Sequence, residues 1–314
     1  MIYTITFNPA IDYTVHVKKI SLGNTNRSGE SYLQVGGKGV NCAIILKRLG
    51  IDNLRTGGFL GDKNNDLIFD ILRNEDIYSN FILVDGAVRI NVKIKSEQET
   101  EINALGPLVS NEKWDLFLED VTKFNNDDLV IISGNLAYGM NLSHLKDFLK
   151  LLNEKEVKFT IDMDGANLLA TLPYHPLLIK PNIVELEAIS KPKQPLKTDE
   201  DVINAAIKLQ EQGATNILVS LGAQGAIFIS DNKDVYHVSA NQGKLINSVG
   251  AGDSMLAAFI ASYFVRQLPI EERLKIASAS GSATSFTKFL ATKEEIDKLT
   301  KSVKVSKLGD ENGY

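Results

Sequence analysis

Leu129-Val130-Ile131-Ile132, Leu177-Leu178-Ile179 and Ile217-Leu218-Val219 are short, unbroken apolar runs. A strand with one wet face alternates, so an unbroken run marks a strand buried on both faces, as in a parallel sheet covered by helices. Val157 to Met163 reads the same way with polar residues interspersed, and Met1 to Phe7 reads as a further strand. Between the runs lie helical patterns: Leu142 to Leu152, Glu185 to Ile189, and Asp199 to Gln212 stopped by Gly213. Strand and helix in alternation predict βαβ units and a right-handed, doubly wound α/β fold, with a mostly parallel sheet flanked by helices.

A second pattern alternates. Ile11, Tyr13, Val15 and Val17 are interleaved with Asp12, Thr14, His16 and Lys18; Ile90, Val92 and Ile94 with Arg89, Asn91, Lys93 and Lys95. Such strands are expected to keep their polar face wet. They predict a small inserted sheet, about residues 11–35 and 86–104, which could act as a lid that keeps water from a reacting group. Ser254 to Arg266 and Ile270 to Phe286 carry helical apolar faces, so the last third reads as mostly helical. Lys301 to Tyr314 reads as a polar, mobile tail. At roughly 150 residues per domain, 314 residues suggest about two domains. With no linker or repeat in view, one domain over 1–314 is expected.

Hydrophobic residues make up 44% and charged residues 23%, with a formal net charge of −5. That balance argues against a general nucleic-acid binder or an anionic-membrane binder, both of which need basic surface. The single cysteine, Cys42, rules out an intramolecular disulfide and reads as core. The four histidines lack metal-ligand spacing. No apolar run approaches the ~20 residues that cross a bilayer, and the start lacks a signal-peptide pattern, so a cytoplasmic protein is expected.

Two glycine-rich turns stand directly before helices: Gly36-Gly37-Lys38-Gly39-Val40-Asn41 and Gly250-Ala251-Gly252-Asp253. Glycine lets backbone approach a ligand, and the first amides of a helix have no internal partner, so each turn is an anion-site candidate. Each could equally be a tight turn with a helix cap. Neither is a P-loop or a dinucleotide fingerprint, which disfavours an NAD-dependent enzyme. At the second turn a carboxylate stands beside unpaired amides. It could accept a proton from an attacking hydroxyl while the amides stabilise charge on a phosphoryl group. Lys180-Pro181-Asn182, with Glu185 a turn later, and Ser220-Leu221-Gly222 follow buried strands, where α/β proteins place ligands. Arg89 could clamp a phosphate. Asp162 and Asp164 could pair for acid–base work, but at the end of a strand they read rather as loop organisers.

On these motifs the chain resembles the PfkB, or ribokinase-like, carbohydrate kinase family along nearly its whole length. Gly36 to Asn41 matches one signature and Ser248 to Ser254 a second. Phe7-Asn8-Pro9-Ala10-Ile11-Asp12 resembles the branch acting on ketohexose phosphates, which includes 1-phosphofructokinases, tagatose-6-phosphate kinases and the minor 6-phosphofructokinase. The resemblance implies a ribokinase-like fold and ATP with Mg²⁺. It implies Asp253 as base and an anion hole at Gly250, Ala251 and Gly252. Asp12, Gly36, Gly37 and Asn41 would hold the sugar, and Lys38, Arg89 and Arg27 its phosphate. Lys180, Asn182, Ser220, Gly222, Gly225 and Ser248 would lie along ATP, and Glu185 would reach the metal through water. A homodimer through the lid is expected. The expected reaction is fructose 1-phosphate to fructose 1,6-bisphosphate, with tagatose 6-phosphate and fructose 6-phosphate as alternatives. A non-catalytic sugar-phosphate sensor is the alternative class. Ser133 to Gly139 lacks the double proline of many members, and Thr287 to Ala291 lacks the glycine usual near the adenine.

Overall fold

In the computed structural model, which describes residues 1–309, fourteen strands form two sheets. In chain order they are β1 (Ile2–Thr6), β2 (Ala10–His16), β3 (Ser31–Gly36), β4 (Leu54–Lys63), β5 (Tyr78–Ala87), β6 (Arg89–Lys95), β7 (Thr100–Ile102), β8 (Leu129–Ser133), β9 (Lys158–Asp162), β10 (Leu178–Ile179), β11 (Asn216–Ser220), β12 (Ala226–Ile229), β13 (Val235–Val238) and β14 (Val305–Leu308). The large sheet runs β14-β13-β12-β11-β10-β9-β8-β1-β4-β5. It is parallel from β5 to β11 and antiparallel beyond.

The unbroken runs are buried on both faces. Leu129 and Ile131 pack into one apolar cluster with the helices Lys38–Arg48, Ala251–Ile260 and Ile270–Ser285. Val130 and Ile132 pack into the other with Asn111–Val121, Leu142–Glu154 and Asp199–Glu211. Each side chain so buried is worth about 1.5–3 kcal/mol, which is why the pattern was legible.

The small sheet runs β3-β2-β6-β7, as the alternation predicted, but its faces are reversed from the expectation. Asp12, Thr14, Asn91 and Lys93 are buried, while Leu33, Ile90 and Ile102 are 53%, 42% and 60% exposed. Alternation reports that two faces differ, not which one meets the rest of the molecule. Here the polar face turns inward because its charges pair there: the Lys93 ammonium lies 3.1 Å from Asp12.

The polar tail also needs correcting. Val305–Leu308 pairs antiparallel with β13, and Val303 is buried beneath it. Residues 310–314 of the expected tail lie outside the described residues. The β12–β13 hairpin likewise interrupts a region read as mostly helical. No helix among the described residues is long and apolar enough to cross a membrane.

Candidate active site

The two glycine-rich turns, more than 200 residues apart in sequence, meet at one carboxylate. The Lys38–Arg48 helix follows β3 and carries Asn41 on its first full turn. Gly250 takes a left-handed conformation, φ 80°, that starts the Ala251–Ile260 helix with Asp253 in its first turn. A side chain at that φ is strained, so glycine sets the turn. Asn41 Nδ2 then donates to Asp253 Oδ2 at 2.8 Å. Ser254 Oγ braces the turn by donating to the Gly250 carbonyl at 2.7 Å. The Gly250 and Gly252 amides have no partner among the described residues, whereas Ala251 N turns back to Ser248 O at 3.3 Å. Of the three amides expected to form an anion hole, two are thus free and the third is weakly engaged.

Asp253 is 6% exposed. Burial, with the nearby charge of Asp162, pushes its carboxyl up to about 6, against the pull of Lys38, Asn41 and Lys180. Lys38 donates to Asp162 Oδ1 at 2.8 Å, and Lys180 Nζ lies 3.1 Å from Asp162 Oδ2. Burial would lower the Lys38 ammonium, but Asp162, Asp253 and Glu185 hold it above the usual lysine range. Burial would raise Asp162, yet Lys180 and Lys38 keep it below the usual carboxylate range. A carboxylate with a raised proton affinity, next to free amides and two ammoniums, can take a proton while a transferring anion is held.

The other residues singled out from sequence fall on either side of this centre. On one side a cavity of about 600 Å³ is lined by Asn182, Ser220, Gly222, Gly225, Ser248, Ala251 and Gly252. Asn182 and Glu185 cap the Ile183–Ser190 helix reciprocally: Asn182 N donates to Glu185 Oε2 at 2.8 Å and Glu185 N to Asn182 Oδ1 at 2.9 Å. On the other side Asp12 accepts from Asn91 Nδ2 at 3.0 Å, and its carboxylate fills the space a Gly36 side chain would need. Arg89 Nε donates to Asn8 O at 3.0 Å, with its guanidinium part-buried in the field of Asp12. Gly37 caps the Lys38–Arg48 helix. Arg27 lies in the exposed 17–30 segment with no hydrogen-bond or ion-pair partner among the described residues.

Sequence reasoning grouped Lys38 with Arg89. In the structure Lys38 belongs to the Asp162–Asp253 cluster and Arg89 to the Asp12 side. It also passed over Lys93 and Asn91, read as wet-face residues, and Asp162, read as a loop organiser. The far wall of the large cavity, Ser278, Gly281, Ser282, Ser285 and Phe286, was missed too. Its small residues recur at helical spacing in Ile270–Ser285, a signal the sequence did carry.

A 1-phosphofructokinase of Bacillus subtilis is 37% identical over 308 residues, covering 98% of this chain and 100% of that protein. A D-tagatose-1-phosphate kinase of Bacillus licheniformis is 34% identical over 308 residues, covering 98% and 100%. The crystal structure of a putative phosphofructokinase from Staphylococcus aureus superposes with a TM-score of 0.83 at 37% identity, covering 98% of this chain and 99% of that one. Residues 5–294 match the model of the pfkB family carbohydrate kinases, and the chain belongs to that family of ATP-dependent sugar kinases.

Proposed function

We propose that the chain transfers the γ-phosphoryl group of ATP to the free primary hydroxyl of a ketohexose 1-phosphate, with fructose 1-phosphate, giving fructose 1,6-bisphosphate, as the first choice. The observation that carries this is the buried Asp253 carboxylate beside two free amides, with Lys38 and Lys180 paired on Asp162 and a second group, Arg89 and Lys93, beside Asp12. The hydroxyl gives its proton to Asp253, its oxygen bonds to the γ-phosphorus, and the bond to the β-phosphate oxygen breaks to release ADP. Lys38, Lys180 and the Gly250 and Gly252 amides hold the phosphoryl group in flight. Arg89 and Lys93 are the cations available to the phosphate already on the sugar, while Asp12, Asn41 and the Gly36-Gly37 backbone take its hydroxyls. Arg27 reaches that phosphate only where the 17–30 segment folds over the site or into a second copy.

The large cavity suits adenosine, with Phe286 and Met255 as apolar wall and the phosphates running past Asn182, Ser220, Gly222 and Gly225. Mg²⁺ would ride on those phosphates, since such ions keep several waters and few carboxylates. Glu185, with Oε2 in the helix cap, offers Oε1 through water. Chemically, the ion neutralises phosphate charge. The inward polar face of the small sheet suits a lid over the sugar, and its outward apolar face suits the same face of a second copy.

Tagatose 1-phosphate is the runner-up, favoured over tagatose 6-phosphate because both named Bacillus relatives act on 1-phosphates. A sensor has no need of Asp253, whose burial as an anion is unfavourable. ADP release measured over fructose 1-phosphate, tagatose 1-phosphate, both 6-phosphates, free sugars and nucleosides tests the reading. Fastest turnover with an unphosphorylated acceptor would overturn the roles of Arg89 and Lys93, and no turnover at all would leave the sensor.

A further inference from the structure

Asp162 has no part in the steps above, yet it is the most enclosed charge at the centre. It ends β9, alongside Ser133 at the end of β8, and is 1% exposed. Its two oxygens face different elements. Oδ1 accepts from Lys38, on the helix after the first glycine-rich turn, and Oδ2 faces Lys180, just after β10. Lys180 in turn abuts the second turn: a β-carbon on Gly252 would lie 2.9 Å from its Nζ. One carboxylate therefore ties together the two lysines that flank the transfer site.

The two ties are unequal. The Lys38 contact is a hydrogen bond of 2.8 Å, whereas the Lys180 ammonium approaches Oδ2 at 3.1 Å in a looser geometry that chiefly pairs the charges. Lys180 is held to Asp162 through one face of its ammonium, which has further donors to offer an incoming anion. Across the whole cluster, Lys38 and Lys180 balance Asp162 and Asp253. Without Asp162 two ammoniums would face one carboxylate, and Lys180 would have Asp253 as its nearest buried counter-charge.

We infer that Asp162 is a positioning residue for phosphoryl transfer: it holds Lys38 and Lys180 as a splayed cation pair beside the free amides and keeps them from neutralising Asp253. This deepens the kinase reading and rests on it. Asp162 touches neither substrate. It acts by where it places the lysines and by adding negative charge next to the base. The groups facing Asp253 are Lys38 and Asn41 from one helix, Asp162 from β9 and Lys180 from the segment after β10. Of these, Asp162 is the only anion, so its removal should leave Asp253 a weaker base.

The test compares wild type with Asp162→Asn on whichever acceptor turns over fastest in the substrate panel. If no acceptor turns over in wild type, the kinase reading itself has failed. In the variant, kcat is expected to fall at least ~10-fold, less than the ~10²-fold floor for losing an acid–base group itself, because Asp162 only positions its neighbours. KM for ATP should not rise, because both lysines lose a competitor for the phosphates. The acid limb of kcat/KM should move to lower pH; titration of the substrates is common to both enzymes and cancels. A folded variant with its acid limb unmoved, whatever its kcat, overturns the inference. If the single variant does not fold, Asp162→Asn/Lys180→Met restores a neutral cluster. The double variant should keep its acid limb close to wild type at reduced kcat, and full activity in it would equally overturn the inference.

Discussion

Asp253 is ionised against its surroundings at neutral pH, and two expectations follow at the scale of the residue. Its carboxyl is raised to about 6, chiefly by burial. A base must be deprotonated, so kcat/KM should decline as pH falls through about 6, measurable with a coupled ADP assay from pH 5 to 9. A raised carboxyl also means that the folded chain prefers the protonated form. Its contribution to stability is fully present below the unfolded value near 4 and is lost as pH rises to about 6. Asp253→Asn removes that penalty. It should lose at least ~10²-fold in turnover while still binding sugar phosphate. Its gain in Tm over wild type should grow between about pH 4 and 6 and stay level above. Unchanged turnover would remove Asp253 from the chemistry. A gain that does not vary with pH would assign the effect to packing.

At the scale of the element, the Ala251–Ile260 helix does two opposed things. Its body is apolar and buried between sheet and helix, so it is rigid. Its start is stripped to glycine so that amides and a lysine can approach. Gly252 sits in helical backbone, where alanine is favoured by about 1 kcal/mol. Yet an added methyl would meet the Lys180 ammonium at 2.9 Å, which must shift. Gly252→Ala is therefore expected to keep or slightly raise Tm and to lower kcat by about tenfold, the cost of misplacing one charge stabiliser by a fraction of an ångström. Melting and steady-state kinetics on the same preparation check it. A loss of Tm with normal kcat would mean that the glycine serves packing. The glycine pattern and Asp253 were legible because they are local. The cavity wall on Ile270–Ser285 was less so, because its small residues gain meaning only when another element leaves room beside them.

At the scale of the whole molecule, the small sheet carries polar side chains inward and leaves Leu33, Ile90 and Ile102 exposed on one face. A contiguous apolar face of this kind marks an interface. A second copy apposing the same face gives a closed, self-complementary contact. If the lid-to-lid dimer proposed above forms, Ile90→Glu should shift it to monomer by light scattering at micromolar concentration and raise KM for the sugar phosphate more than KM for ATP. A wild-type chain that is monomeric at high concentration would remove the lid-to-lid contact.

The sequence by itself determined the doubly wound α/β fold, the small alternating sheet, both glycine-rich turns and Asp253. These are signals written within a few residues: period, unbroken apolarity, missing β-carbons. It did not determine which face of the small sheet turns inward, that Val305–Leu308 adds an edge strand, or that Lys38 pairs with Asp162. Only the tertiary structure decided these, because each depends on a counter-charge or an open sheet edge supplied from far along the chain. Lys38 and Asp162 are 124 residues apart. Nothing near either residue states that they meet; the Lys38–Arg48 helix packs on β1, β4 and β8, and β9, which ends in Asp162, runs parallel beside β8.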